Sequence, residues 1–192
     1  MMKPLKDSYI GVFKIFRYYW KSYGGVSALV LSPYLHLAIL LLPLSYYQWI
    51  HRDWWDLSLA ILPNLLGFSL GGFAIFLGLG DEVFRSILAT KDTNSKSSTY
   101  VFVSATFVHF IIVQALAIMF ALIAKFLAFY PFWMTQEIFC YFKYITPIFW
   151  GVGYLLLLYS ITSMIAVVMA IFRCSKWYET FIEKDNNQQN DL

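Results

Sequence analysis

DLSLAILPNLLGFSLGGFAIFLGLGD, residues Asp56 to Asp81, is the stretch whose reading decides the fold. Between its terminal acids lie 24 uncharged residues. At about 1.5 Å of rise per residue, a helix of that length crosses a hydrocarbon core of about 30 Å. The pattern predicts a membrane-spanning helix over 57–80. Its small and polar residues follow a rhythm: Ala60, Asn64, Gly67, Gly71, Ala74 and Gly78 recur at steps of 4, 3, 4, 3 and 4, which places them on one stripe. Lipid gives no hydrophobic reason for two helices to meet, so a row of small side chains is the expected route to close backbone approach. The stripe is therefore assigned as a helix-packing face.

Outward from this span, composition sets the class. Of the 192 residues, 60% are apolar and only 13% charged, too apolar a mixture for a soluble domain of this length. A net charge of +3 argues neither for nucleic acid nor for acidic substrates, and no direct nucleic-acid binding is expected. Three further spans are predicted, over 26–50, 100–129 and 144–172. The first contains Pro33, Pro43 and an intramembrane His36, the third an intramembrane His109. The third also carries a row of its own, Gln114, Ala117, Ala121 and Ala124, continued by Ala128, which is the expected packing partner of the first stripe. Trp54 and Trp55, in the short loop HRDWWD, suit an interfacial belt. The fold class is thus all-α: a polytopic membrane protein in three parts, an N-terminal segment 1–25, a four-helix transmembrane domain 26–173 and a tail 174–192.

The segment 1–25 sets Ile10, Phe13, Phe16 and Trp20 on one side and Lys14, Arg17 and Lys21 on the other. It reads either as an amphipathic helix lying in the headgroup region or as a positive flank that orients the first span. Gly24 and Gly25 follow as a hinge. The polar stretch from Asp81 to Thr99 is expected to be a solvent loop, its start extending the second helix through about Ile87. The tail is expected to begin helical and to lose order over its last ten residues. Eleven of the 14 cations fall in the N-terminal segment, the middle loop and the tail, which places both termini in the cytoplasm. Lys125, near a helix end, can snorkel to the opposite surface. That topology separates Cys140 from Cys174 and excludes an intrachain disulfide. No small-x-small cleavage site ends the first apolar run, so no cleaved signal peptide is expected.

Few residues suggest chemistry. Gly67-Phe68-Ser69-Leu70-Gly71 matches G-x-S-x-G, yet a nucleophile elbow needs a strand-turn-helix setting, and here the pattern sits inside an apolar helix. His36, Asn64, His109 and Gln114 mark either interhelical hydrogen bonds or a polar pathway. No span has an Asp or Glu at its middle, which weakens a proton-coupled exporter. Metal-ligand spacing, phosphate-binding loops and dinucleotide fingerprints are missing, so no catalytic residue, cofactor or metal is assigned.

The four spans, the basic start and LPNLLGFSLGGFAIFLGLGDE, Leu62 to Glu82, resemble the small inner-membrane proteins of bacterial anti-phage defence systems, the Kiwa membrane components among them. The resemblance implies a bacterial inner-membrane protein that self-associates, senses a disturbance caused by infecting phage and works with a cytoplasmic effector protein. On that reading the chain is a non-enzymatic sensor or anchor, in contact with the lipid bilayer and with copies of itself. Its effector would dock on the middle loop and the start of the tail, where Arg85, Lys91, Lys96, Arg173 and Lys176 lie. The alternatives are an oligomeric pore or ion-leak effector, a small transporter subunit and, behind both, an intramembrane enzyme.

Overall fold

A computed structural model describes residues 2–91, 97–128 and 136–190; for 2–5, 136–144 and 188–190 it describes the backbone alone. Among the described residues there are eight α-helices and no strands: α1 (Met2–Tyr23), α2 (Gly25–Val30), α3 (Pro33–Leu44), α4 (Tyr46–His51), α5 (Trp54–Gly78), α6 (Glu82–Ala89), α7 (Thr99–Leu127) and α8 (Gln136–Asn190). Three stretches are long and apolar enough to cross a membrane, α5, α7 and the Ile145–Asn187 part of α8. These correspond to the second, third and fourth predicted spans.

The first predicted span is not one helix but three. Proline explains both interruptions. Pro33 has no N–H to continue α2, and Pro43 withholds a donor near the end of α3. Around the two breaks, side chains add local donors to the backbone: His36 Nε2 reaches the Val30 carbonyl at 2.7 Å, Ser45 Oγ donates to Leu41 and Leu42, and Trp49 Nε1 donates to Leu42. Broken backbone at membrane depth is tolerated only when it is satisfied in this manner. At 12 residues, α3 is about 18 Å long by helical rise, well short of a hydrocarbon core.

Two other boundaries differ from expectation. The second span does not run on through Ile87; it ends at Gly78, and Gly80 at φ 76° turns the chain into the separate helix α6. Asp81 caps α6 by accepting from the Phe84 N–H at 2.8 Å. The tail does not lose its helix ten residues from the end, because α8 continues through Asn190. Beyond Gly153 it meets neither glycine nor proline to stop it. Trp54 and Trp55 are also not in a loop. They open α5 and are buried, with Trp54 packed edge-on against Tyr154 and so close to Gly153 that a methyl there would strike the indole.

The bundle is α5, α7 and α8, with α3 laid against α8 and α1 against α7. One core cluster joins Trp54, Leu62 and Leu65 to Ala117, Ala121, Ala124 and Leu157. A second, at the other end, joins Phe76 to Phe107, Phe110 and Val167. An ion pair of 2.9 Å, Lys125 to Asp56, ties the end of α7 to the start of α5 at the surface.

The central correction concerns α5. The stripe assigned as its packing face points outward in the protomer: Ala60, Asn64, Gly67, Gly71, Ala74 and Gly78 are all exposed. A Cβ added to Gly67, Gly71 or Gly78 would meet nothing within 4 Å. The buried face is Ser58, Leu62, Leu65, Ser69, Gly72 and Phe76. It has the same 4, 3, 4, 3, 4 rhythm displaced by two residues, about 200° round the helix at 3.6 residues per turn. The reason is that only one partner of a helix pair needs to be small. On α7 the row Gln114, Ala117, Ala121 and Ala124 is buried as expected, and the alanines leave a smooth channel into which Leu62 and Leu65 of α5 insert.

Candidate functional site

Aromatic residues of α1 meet α7 and α8 around one imidazole. The α1 spacing Tyr19, Ser22, Tyr23 places a buried stripe on its last turns, while Ile10, Phe13 and Phe16, the expected apolar face, stay exposed. The Tyr19 hydroxyl lies 2.8 Å from His109 Nδ1, and the Tyr159 hydroxyl of α8 lies 3.1 Å from His109 Nε2. A neutral imidazole has one donor and one acceptor nitrogen, so in either tautomer it gives a proton to one tyrosine and accepts from the other. Tyr23 stacks on the same ring at 3.9 Å between centroids, 16° from parallel. His109 is therefore a pin through three helices. Sequence reading found the histidine but not its partners; the i, i+4 pair Tyr19 and Tyr23 was the available signal.

Beside the pin, α1 stands off the bundle. A groove of about 600 Å³ opens between α1, α7 and α8, walled mostly by apolar side chains, with His109 and Tyr159 at its base and Arg17 among its lining residues. On the opposite flank of α1 a second groove of about 430 Å³ lies between Val12, Ile15 and α7. Lys14, Arg17 and Lys21 are all exposed.

The other polar residues of the predicted spans do not converge. Gln114 Nε2 donates to Ser69 Oγ at 2.9 Å across α5 and α7, and both side chains are fully buried. That bond is interhelical, as the sequence suggested for Gln114, although its partner is the serine of the G-x-S-x-G pattern. His109 is engaged by tyrosines and not by Ser69. Asn64 joins no second helix: it is exposed, and its amide donates back to the Ala60 carbonyl at 3.2 Å. His36 is exposed too, at the α2–α3 break. Among the described residues, no three His, Cys, Asp or Glu side chains are grouped to hold a metal.

A third feature lies at the far end of α8. Phe84, the buried residue of α6, packs against Tyr178 and Phe181, at 5.1 and 5.5 Å between ring centroids. This clasp fixes α6 on the α8 extension. Around it Arg85, Lys91, Arg173 and Lys176 are exposed, whereas Lys96 lies outside the described residues.

These features define the class: an all-helical chain with three stretches suited to crossing a membrane, an aromatic histidine pin inside, and a helical extension beyond the apolar region. No family model matches the chain, and no curated protein or solved structure matches it.

Proposed function

We propose that the chain is a non-enzymatic membrane anchor and sensor that holds a cytoplasmic effector protein at the bacterial inner membrane. The observation that carries this reading is the Phe84 clasp. An eight-residue helix such as α6 has little stability alone. Docked on α8, it becomes a fixed platform with cations on its surface, suited to an acidic partner face. The excess of cations on this end supports a cytoplasmic platform and cytoplasmic termini. On this reading α2, α3 and α4 together complete a fourth, broken crossing, and α1 rests against the bilayer with its cations towards anionic headgroups. The outward row of α5 is then where copies of the chain meet. Gly67 and Gly71 are bare, and the Asn64 amide beside them is available to a neighbouring helix. The resemblance to anti-phage membrane components supplies the stimulus, phage infection.

The test is photo-crosslinking in native membranes from probes at Arg85 and Lys176, with and without phage. A soluble protein crosslinked at both positions, and lost on Lys176→Glu, supports the platform. Depolarisation by the chain expressed alone would favour a pore instead.

A further inference from the structure

Among the described residues none fills the groove between α1 and the bundle. Phe13 and Phe16 form one wall, Leu116 of α7 and Leu155 of α8 the other, and His109 lies at the base. Its volume of about 600 Å³ lies inside the roughly 300–1,000 Å³ range of ligand sites. Apolar walls beside membrane-crossing helices exclude water and suit a hydrocarbon chain. One charged residue lines it, Arg17, and no acid does. Lys14 and Lys21 stand three residues before and four after Arg17, on the same face of α1. Among the described residues the one ion pair is Lys125 with Asp56, and these three cations have no ion-pair partner there. Only the last turns of α1 are pinned, through Tyr19 and Tyr23 to His109. The stretch from Val12 to Phe16 stands clear, with a groove on each flank.

We propose that this groove is a binding site for one anionic phospholipid, an acyl chain lying along Phe13, Phe16 and Leu116 and the phosphate held by Arg17 with Lys14 and Lys21. Apolar walls hold the tail of any phospholipid; the cations select the anionic headgroup. The lipid completes the seat of α1, which makes the position of α1 responsive to the composition of the surrounding leaflet. This site is independent of the effector reading: it requires only that α7 and α8 lie in lipid.

Native mass spectrometry of the purified full chain in detergent tests the site, with phosphatidylglycerol and phosphatidylcholine of identical acyl chains as probes. One phosphatidylglycerol is expected to be retained per chain, and Arg17→Gln to reduce its preference over phosphatidylcholine about fivefold. Leu116→Trp fills the groove and is expected to lose both lipids, whereas Leu122→Trp, on α7 outside the groove, retains both. Equal retention of the two lipids by the unaltered chain overturns the proposal, and so does an Arg17→Gln variant that keeps the full preference. Arg17 is exposed, so its replacement leaves the fold intact and that arm stands even where Leu116→Trp does not fold. Unchanged binding by a folded Leu116→Trp would place the lipid elsewhere.

Discussion

Gly71 and Gly72 are neighbours in sequence and face opposite environments, which makes them the sharpest test of the packing. A Cβ at Gly72 would lie 3.1 Å from Ile171 Cδ1, 3.3 Å from Val167 Cγ1 and 3.4 Å from Phe107 Cε1, all inside ordinary carbon contact. Alanine there is close to neutral, because the flexible tip of Ile171 yields and the helix gains about 0.8–1 kcal/mol of propensity over glycine. Leucine adds three more carbons in the same direction. Overpacking of that kind costs about 1–3 kcal/mol, and more where the backbone cannot shift. At Gly71 an added Cβ meets nothing within 4 Å, so Gly71→Leu has only the propensity gain within the protomer. The propensity gain is common to both, so the two leucine variants are expected to differ by the overpacking cost, about 1–3 kcal/mol, with the Gly71 variant the more stable. Unfolding of each purified variant in mixed micelles, titrated with SDS, measures the difference. Equal destabilisation, or a Gly71 variant weaker than the Gly72 variant, would refute the assignment of faces. The proposed self-association is read separately by detergent-extracted size, which Gly71→Leu is expected to lower and Gly72→Ala to leave unchanged.

Other perturbations follow from the same geometry. Ser69→Ala strands the buried Gln114 amide and should cost about 1–3 kcal/mol, while adding Gln114→Leu removes the stranded group and recovers most of it, as a double-mutant cycle of unfolding would show. His109→Phe keeps a ring for Tyr23 to stack on but removes the imidazole that the Tyr19 and Tyr159 hydroxyls share; trypsin should then cleave faster at Arg17 and Lys21 as α1 loosens. Phe84→Ala removes the clasp, so cleavage at Arg85 and Lys91 should accelerate while the SDS midpoint of the bundle stays in place. Lys125→Ala breaks an ion pair whose side chains are 53% and 58% exposed, and a change of no more than about 1 kcal/mol is expected.

Much of the fold was legible because apolar length is a direct physical signal. Three of the four predicted spans correspond to helices suited to crossing a membrane, although the stretch matching the fourth runs on to Asn187. The phase of α5 was not legible. A 3.6-residue rhythm fits any face of a helix equally well, and α5 carries the same spacing on two opposite sides. Choosing between them required knowing that α7 already supplied the small residues. The α7 row was read correctly because few other positions on that helix compete with it. The first span was expected as one helix, yet at Pro33 and Pro43 it divides, and His36, Ser45 and Trp49 supply side-chain donors near the breaks. The hydrogen-bond partners of His109 lay 90 and 50 residues away in sequence, so the local pair Tyr19 and Tyr23 marked a face of α1 without naming what it would meet.

The orientation of α5 is tested most directly by spin labels placed one at a time from Asn64 to Phe76, with oxygen collision rates read in dilute detergent where the chain is a monomer. The account expects minima at Leu65, Ser69, Gly72 and Phe76 and maxima at Asn64, Gly67 and Gly71. The opposite phase, with the glycine row protected and Ser69 open, would contradict it.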